Sequence, residues 1–216
     1  LYYLLLNQWR KLVGDSEFGL RSLSLFAGLL IVPLTFVLGR ALSVSKRPSP
    51  QQRKAEHRVT QRRRRGSQRL GLVAAALLAI NPGMVYYSQE ARMYALLGLW
   101  AVLATVLLLR WFSVVSGQYS VSGDRQWFWG SAYVLCVVAG LYTHYFFPAV
   151  LLVHNIFILI KIIPEFRASF TIHNSPITIN HLPLIIKHWP FLMLATLLLY
   201  APWLPIFWDQ FGSDPI

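Results

Sequence analysis

Polar side chains interrupt two long apolar runs over residues 81–94. Gln89, Glu90 and Arg92 lie in this interruption, and the chain on both sides of it is almost wholly apolar. A charge at the hydrocarbon centre of a membrane costs roughly 2.5–3.5 kcal/mol, so these groups belong at a membrane surface or inside a helix bundle. The segment is predicted to be a short hairpin between two spanning helices, with its polar face turned toward a substrate.

Arg92 has the side chain best suited to hold a phosphate group in this hairpin. A guanidinium group at a helix end offers paired N–H donors to phosphate oxygens. Gln89 and Tyr94 add hydrogen-bonding capacity, and Glu90 can orient the arginine. Two simpler interpretations stay open. The Glu90–Arg92 pair can serve only to stabilise the hairpin, or the arginine side chain can extend to contact lipid headgroups at the membrane surface.

His144 and Tyr145 form a second candidate pair at the end of another apolar run. Histidine serves as a base, a ligand or a structural hydrogen-bond partner, and position alone leaves these roles open. The single cysteine, Cys136, lies inside an apolar run and cannot build a metal site. Three histidines closer to the C-terminus also lack metal-ligand spacing: His173, His181 and His188. No metal or cofactor is therefore predicted.

The composition indicates the elements that must position these residues. Hydrophobic residues make up 56% of the 216-residue chain, against about 45–50% in soluble domains. We predict an all-α fold, a polytopic transmembrane helical bundle that forms one domain over residues 1–216. Leu1 to Val13 is too short to span and is predicted to be an interfacial helix, and Ser16 is predicted to cap the helix after it. The six predicted spans are 18–42, 70–87, 94–112, 127–145, 146–163 and 190–208.

A strongly basic connection over residues 43–69 sets the predicted orientation. Its Pro48, Pro50 and many charged residues predict disorder, and the positive-inside rule places it in the cytoplasm. Ser88 to Met93 is then outside a cell membrane, and the connections 113–126 and 164–188 are cytoplasmic. The net charge of +12 does not predict nucleic-acid binding, because this loop has no aromatic residues between its cations. Membrane lipid is the expected partner.

The segment Asn81 to Tyr94, which reads N-P-G-M-V-Y-Y-S-Q-E-A-R-M-Y, resembles the bacterial membrane glycosyltransferases of the GT-C class. More narrowly, it is similar to the family 39 branch, which includes protein mannosyltransferases and the lipid A aminoarabinose transferase. Further stretches resemble the same family in matching order, namely Leu1 to Leu5 with Gly14 to Arg21, Leu141 to Phe146, and Tyr200 to Pro205.

This resemblance implies hexosyl or pentosyl transfer from a polyprenyl-phosphate sugar donor on the outer face of the membrane. It implies an aspartate in a first external loop as catalytic base, which we expect to precede Leu1 together with a first helix. No catalytic base is therefore assigned, and this fragment alone is expected to be inactive. The expected substrate-binding residues are Gln89, Glu90, Arg92, Tyr94, His144 and Tyr145. The sugar and the acceptor stay open.

Two other classes of function compete with the transferase. One is a transporter or flippase for a lipid-linked or anionic substrate, and the other is a non-catalytic membrane scaffold. Transporters of this kind often contain internal repeats and polar groups near the middle of the membrane. The sequence shows no repeat, and its polar groups lie near the predicted outer ends of the spans. These features favour the transferase.

Overall fold

The computed structural model describes residues 2–43, 57–116, 124–171, 182–205 and 208. All regular elements among these residues are helical, which confirms the all-α prediction for this part of the chain. A 3-10 turn, Ala201–Trp203, follows the last α-helix. The α-helices are α1 (Tyr2–Val13), α2 (Glu17–Ser43), α3 (His57–Ala79), α4 (Pro82–Gln89), α5 (Tyr94–Val115), α6 (Asp124–Thr143), α7 (Phe147–Thr171) and α8 (Leu182–Tyr200).

Three helical segments are long and apolar enough to cross a membrane: Glu17–Leu42, Tyr94–Val115 and Ile185–Trp203. A fourth span exists if the bent pair formed by α3 and α4 counts as one crossing. The predicted number of six is not confirmed within the described residues. The polar first turn of α6 and its Trp, Tyr, Gly and Ser residues lower its hydropathy, and the apolar part of α7, Phe147–Ile163, is short.

The predicted span over residues 70–87 is broken where the sequence reads Asn81-Pro82. The apolar part of α3 and the whole of α4 meet there at an angle of 56°. Pro82 lacks a backbone N–H and cannot continue the hydrogen-bond ladder of α3. Instead, Asn81 caps α4, since its side-chain oxygen accepts a hydrogen bond from the N–H of Met84 at 3.1 Å. Proline at the first helical position then starts a new helix.

The basic connection also differs from the expected disordered loop. Residues 44–56 lie outside the described part, but residues 57–69 form the first half of α3. Arginine and glutamine are good helix formers, and no proline follows Pro50 until Pro82. The predicted connections 113–126 and 164–188 are shortened in the same way, because helices extend into them from both sides. Residues 117–123 and 172–181 lie outside the described part.

The chain divides into two compact units, Leu1–Arg110 and Trp111–Ile216, with the division inside α5. In the first unit, α1, α3 and α4 all pack on α2. Gly39 on α2 meets Gly71 on α3 so closely that a methyl group on Gly39 would lie 2.9 Å from the Gly71 Cα. Small residues commonly allow this close approach between membrane helices. The single-domain prediction stays a prediction.

A tryptophan of α1 connects this helix to the start of α2 through hydrogen bonds. The indole N–H of Trp9 lies 3.0 Å from the carbonyl oxygen of Gly19 and 2.9 Å from the hydroxyl oxygen of Ser22. Gly14, with φ of 83°, supplies the left-handed turn between the helices. The predicted Ser16 cap is confirmed, because its hydroxyl accepts the Gly19 N–H at 3.0 Å. The interfacial position of α1 stays a prediction.

Polar side chains join the three helices of the second unit. The Tyr133 hydroxyl on α6 lies 3.1 Å from Nδ1 of His154 on α7. The next residue, Asn155, accepts a hydrogen bond at 3.0 Å from the indole N–H of Trp189 on α8. Two adjacent residues of α7 therefore connect it to both neighbours.

Removing the Tyr133 hydroxyl is expected to lower stability only slightly. Hydrogen bonds between membrane helices contribute about 0.6 kcal/mol on average and about 1.7 kcal/mol at most. Tyr133→Phe should therefore lower the free energy of unfolding within that range, as measured by denaturant titration in detergent. Tyr145→Phe is the matched control, since Tyr145 is 65% exposed. Equal losses in the two variants would contradict a stabilising Tyr133–His154 contact.

The predicted orientation can be tested by cysteine labelling in intact cells. Gln68 and Gln89 are both exposed side chains, on α3 and at the end of α4. Gln68→Cys should react only with a membrane-permeant thiol reagent, and Gln89→Cys should also react with an impermeant one. The native Cys136 is buried and should stay silent in both assays. The reverse labelling pattern would show that the orientation is wrong.

Candidate functional site

The tight turn between α4 and α5 carries the polar residues that the sequence singles out. Within it, the N–H of Arg92 donates to the carbonyl oxygen of Glu90 at 2.8 Å. The carbonyl oxygen of Arg92 accepts a hydrogen bond at 3.1 Å from the hydroxyl of Ser24, a fully buried residue on α2. The backbone of the turn is thus fixed to α2, and the base of the Arg92 side chain has a defined position.

Glu90 and Arg92 form an ion pair at this turn. Nε of Arg92 lies 3.4 Å from Oε2 of Glu90, and the Arg92 side chain is 64% exposed against 23% for Glu90. This contact does not satisfy Oε2, which is buried and accepts no hydrogen bond within the described part of the chain. The arginine side of this pair is exposed to solvent, which limits what the contact contributes to stability.

The turn and the start of α2 together line an open cleft of about 340 Å³. Glu90, Ala91 and Arg92 form one side, and the other residues come from the first turns of α2: Glu17, Leu20 and Arg21. Arg21 forms an ion pair with Glu17, one helical turn before it. We call this the arginine cleft. Its lining residues include two arginines and two glutamates.

Glu17 and Arg21 were not among the site residues predicted from the sequence. Arg21 lies near the start of the predicted span 18–42 and Glu17 directly before it, and the predicted topology puts that start on the same side as residues 88–93. The arginine at the start of an apolar helix was the available signal. Packing of α2 against α4 and the turn was needed to bring Arg21 and Arg92 to one cleft.

Gln89 and Tyr94 flank the cleft-forming turn. Gln89 is exposed at the last position of α4. Tyr94 begins α5, where its ring centroid lies 4.8 Å from that of Tyr87. Neither side chain contributes to the lining of the arginine cleft. They border the phosphate-binding residues proposed from the sequence.

His144 and Tyr145 belong to the second unit, in the turn between α6 and α7. Nδ1 of His144 accepts the N–H of Phe146 at 3.1 Å, and the His144 and Tyr145 rings stack with centroids 4.5 Å apart. Burial lowers the pKa of His144. The imidazole is therefore neutral near pH 7, and its Nδ1 lone pair is engaged by the backbone. In this geometry, His144 stabilises the turn between α6 and α7.

His154 and Asn155 are two adjacent polar residues inside an apolar run that were not predicted as functional from the sequence. Polar side chains within a membrane-spanning segment cost free energy of insertion, and they often belong to functional sites. Here both contact side chains of neighbouring helices, as described above for Tyr133 and Trp189. Within the described residues, no group of three or more histidine, cysteine, aspartate or glutamate side chains is arranged to hold a metal ion.

Comparison of the chain with known protein families, curated proteins and solved structures gives no match.

Proposed function

We propose that this chain forms part of a membrane glycosyltransferase that takes its sugar from a polyprenyl-phosphate donor on the outer face of the membrane. The observation that carries the proposal is the arginine cleft. Arg21 and Arg92 line it together at one end of α2, a helix apolar enough to span a membrane. Guanidinium groups are well suited to phosphate because their N–H donors match its oxygens.

The surroundings of the cleft suit a lipid-linked phosphate. Phe18, directly after Glu17, is 77% exposed, and Leu25 and Leu29 on the same helix are also exposed. An apolar chain can lie along this surface while its phosphate enters the cleft. A freely diffusing nucleotide sugar would not need such a surface. The exposed apolar surface beside the cleft is therefore consistent with a lipid-linked donor that stays in the bilayer.

In the proposed reaction, the bond between the anomeric carbon and the phosphate oxygen breaks while an acceptor oxygen or nitrogen bonds to that carbon. The departing phosphate takes the bonding electron pair, and Arg21 and Arg92 stabilise the charge that develops on it. The acceptor proton goes to a general base, for which the proposal assigns no residue of this sequence. The contribution of these arginines is leaving-group stabilisation and donor orientation.

Donor binding tests the proposal with the chain as it is. The protein in phosphatidylcholine nanodiscs should bind a farnesyl-phosphate sugar, and Arg21→Ala and Arg92→Ala should each weaken that binding about tenfold or more, the equivalent of one charge-assisted hydrogen bond. Arg10→Ala is the matched control, since Arg10 pairs with Asp15 outside the cleft. Equal binding by all the variants would contradict the proposal.

A transporter of lipid-linked anions is the second candidate, favoured by the break at Asn81. Interrupted helices whose N-termini face anionic substrates are common at transporter sites, and the break bends α3 and α4 by 56°. Proteoliposomes distinguish the two functions. Movement of a fluorescent polyprenyl phosphate between leaflets without sugar transfer by the full-length protein would favour transport, and covalent transfer would favour the enzyme.

A further inference from the structure

We propose that the exposed side of α3 binds one anionic phospholipid, far from the arginine cleft. The phosphate group lies between Arg65 and Arg69, and an acyl chain lies along Leu72 and Ala76. Gly39, which contacts α3 beside Leu70 and Gly71, is about 27 Å along α2 from Arg21 of the cleft, at a rise of about 1.5 Å per residue. The site is independent of the proposed transferase, and it assigns the general expectation of membrane lipid to one lipid class and one helix face.

The first observation is that α3 has two distinct sides. Its buried side consists of small residues: Ser67, Gly71 and Ala75. This side faces α2, because a Cβ built at Gly71 would lie 2.7 Å from the carbonyl oxygen of Phe36. Four exposed residues follow the spacing i, i+4, i+7 and i+11, which places them on one face turned away from α2: Arg65, Arg69, Leu72 and Ala76. We call this face the α3 stripe.

The second observation is that the α3 stripe is cationic at one end and apolar at the other. Leu72 is 61% exposed and the adjacent Val73 is 55% exposed, while α3 contains no aspartate or glutamate. A phospholipid with a negative headgroup has the complementary arrangement, with its phosphate first and its apolar chain next. Basic residues at the end of a membrane helix commonly bind such headgroups. A soluble anion would match the arginines but leave the apolar residues exposed.

The dimensions of the α3 stripe fit one lipid molecule. Residues four positions apart on a helix have Cβ atoms about 5–6 Å from each other, so one phosphate can accept hydrogen bonds from both guanidinium groups. Ala76 is about 10 Å further along the helix axis than Arg69, where the first part of an acyl chain would lie. A protein helix on the same face would have to bring its own carboxylates, because neither arginine forms an ion pair within the described residues.

Quenching by brominated lipids tests the site at the stripe itself. The probe is bimane attached to Ala76→Cys in a Cys136→Ala background, in phosphatidylcholine vesicles that contain dibrominated phosphatidylglycerol or dibrominated phosphatidylcholine. The association constant of phosphatidylglycerol at the probe should exceed that of phosphatidylcholine about five- to thirtyfold, since each basic residue near the membrane surface contributes about fivefold. Arg65→Gln/Arg69→Gln should bring this ratio close to one.

Two control variants separate a site from general surface charge and from misfolding. Arg40→Gln removes a cation near the same end of α2, where its guanidinium carbon lies 5.5 Å from the centroid of the Phe36 ring, and it should change the ratio less than twofold. Arg65→Lys/Arg69→Lys keeps both charges and should retain most of the preference. Quenching by the phosphatidylcholine analogue should be equal in all the variants, as expected if the stripe still faces lipid.

Three results would overturn the proposal. A ratio of one in the native protein would show that the stripe does not select anionic lipid. An equal loss in Arg40→Gln and in the double glutamine variant would show attraction to the charged surface as a whole. Absence of quenching by both lipids would show that protein, either another helix or a second copy of this chain, covers the stripe.

Discussion

Arg92→Ala in the full-length protein is expected to reduce turnover about ten- to a hundredfold while expression and thermal stability stay near wild type. A hydrogen bond to a charged group contributes roughly 1.5–3 kcal/mol, and about 1.36 kcal/mol corresponds to a factor of ten in rate. Stability should change little because the Arg92 side chain is 64% exposed. The measurement is sugar transfer from a polyprenyl-phosphate donor by purified protein.

Arg92→Lys separates phosphate binding from simple attraction to headgroups. Lysine keeps the positive charge but lacks the planar pair of donors, so activity should recover only in part. If Arg92 only contacted lipid phosphates, its replacement by lysine would leave the activity unchanged. Arg10→Ala again serves as the control, because it removes an exposed arginine of the same unit outside the cleft. Wild-type kinetics in both Arg92 variants would remove this residue from the site.

Gly71→Ala should give the largest loss of stability among the single substitutions considered. A Cβ at Gly71 would lie 2.7 Å from the carbonyl oxygen of Phe36 and 2.8 Å from Cδ2 of its ring. Because one of these atoms belongs to the backbone of α2, a side-chain rotation cannot relieve the contact. Overpacking of this kind costs about 1–3 kcal/mol. Thermal unfolding in detergent should therefore shift to lower temperature.

Gly66→Ala is the matched control on the same helix. No atom lies within 4 Å of a Cβ built at Gly66, and alanine is favoured over glycine inside a helix by up to about 1 kcal/mol. The two substitutions should thus change stability in opposite directions although the chemical change is identical. A stabilising effect of Gly71→Ala would show that α2 and α3 are not in close contact at this position.

Local signals in the sequence predicted two of the three apolar helices closely, whereas the third, Ile185–Trp203, begins five residues before its predicted span over residues 190–208. The start of α5 at Tyr94 follows the last polar residues of the turn, and α2 agrees with its predicted span within one residue at each end. Charge was a poorer guide, because the basic residues 57–69 were expected to be disordered and are helical. Arginine-rich segments lack the apolar periodicity that indicates a helix, but they have no difficulty in continuing one that an apolar segment begins.

The site was predictable only where its parts are close in sequence. Glu90 and Arg92 were identified from three consecutive residues, and the structure confirms that they form an ion pair. Arg21 is 71 positions earlier than Arg92, and nothing short of helix packing relates the two. The same limit applies to His154, whose partner Tyr133 lies on another helix. Side-chain chemistry is visible in a sequence, whereas its assembly into a cleft depends on tertiary contacts.

The bend at Asn81 also determines how deep the arginine cleft lies. Twelve residues separate Arg69 from Asn81, a rise of about 18 Å along α3. The eight residues of α4 add about 12 Å of path, but the 56° bend reduces their advance along the α3 axis to about 7 Å. With Arg69 at the inner headgroups, Glu90 then stands about 25 Å across a hydrocarbon core about 30 Å thick. Under the proposed orientation, the cleft then opens just below the far surface, and a membrane-bound phosphate would reach it by moving sideways within its own leaflet.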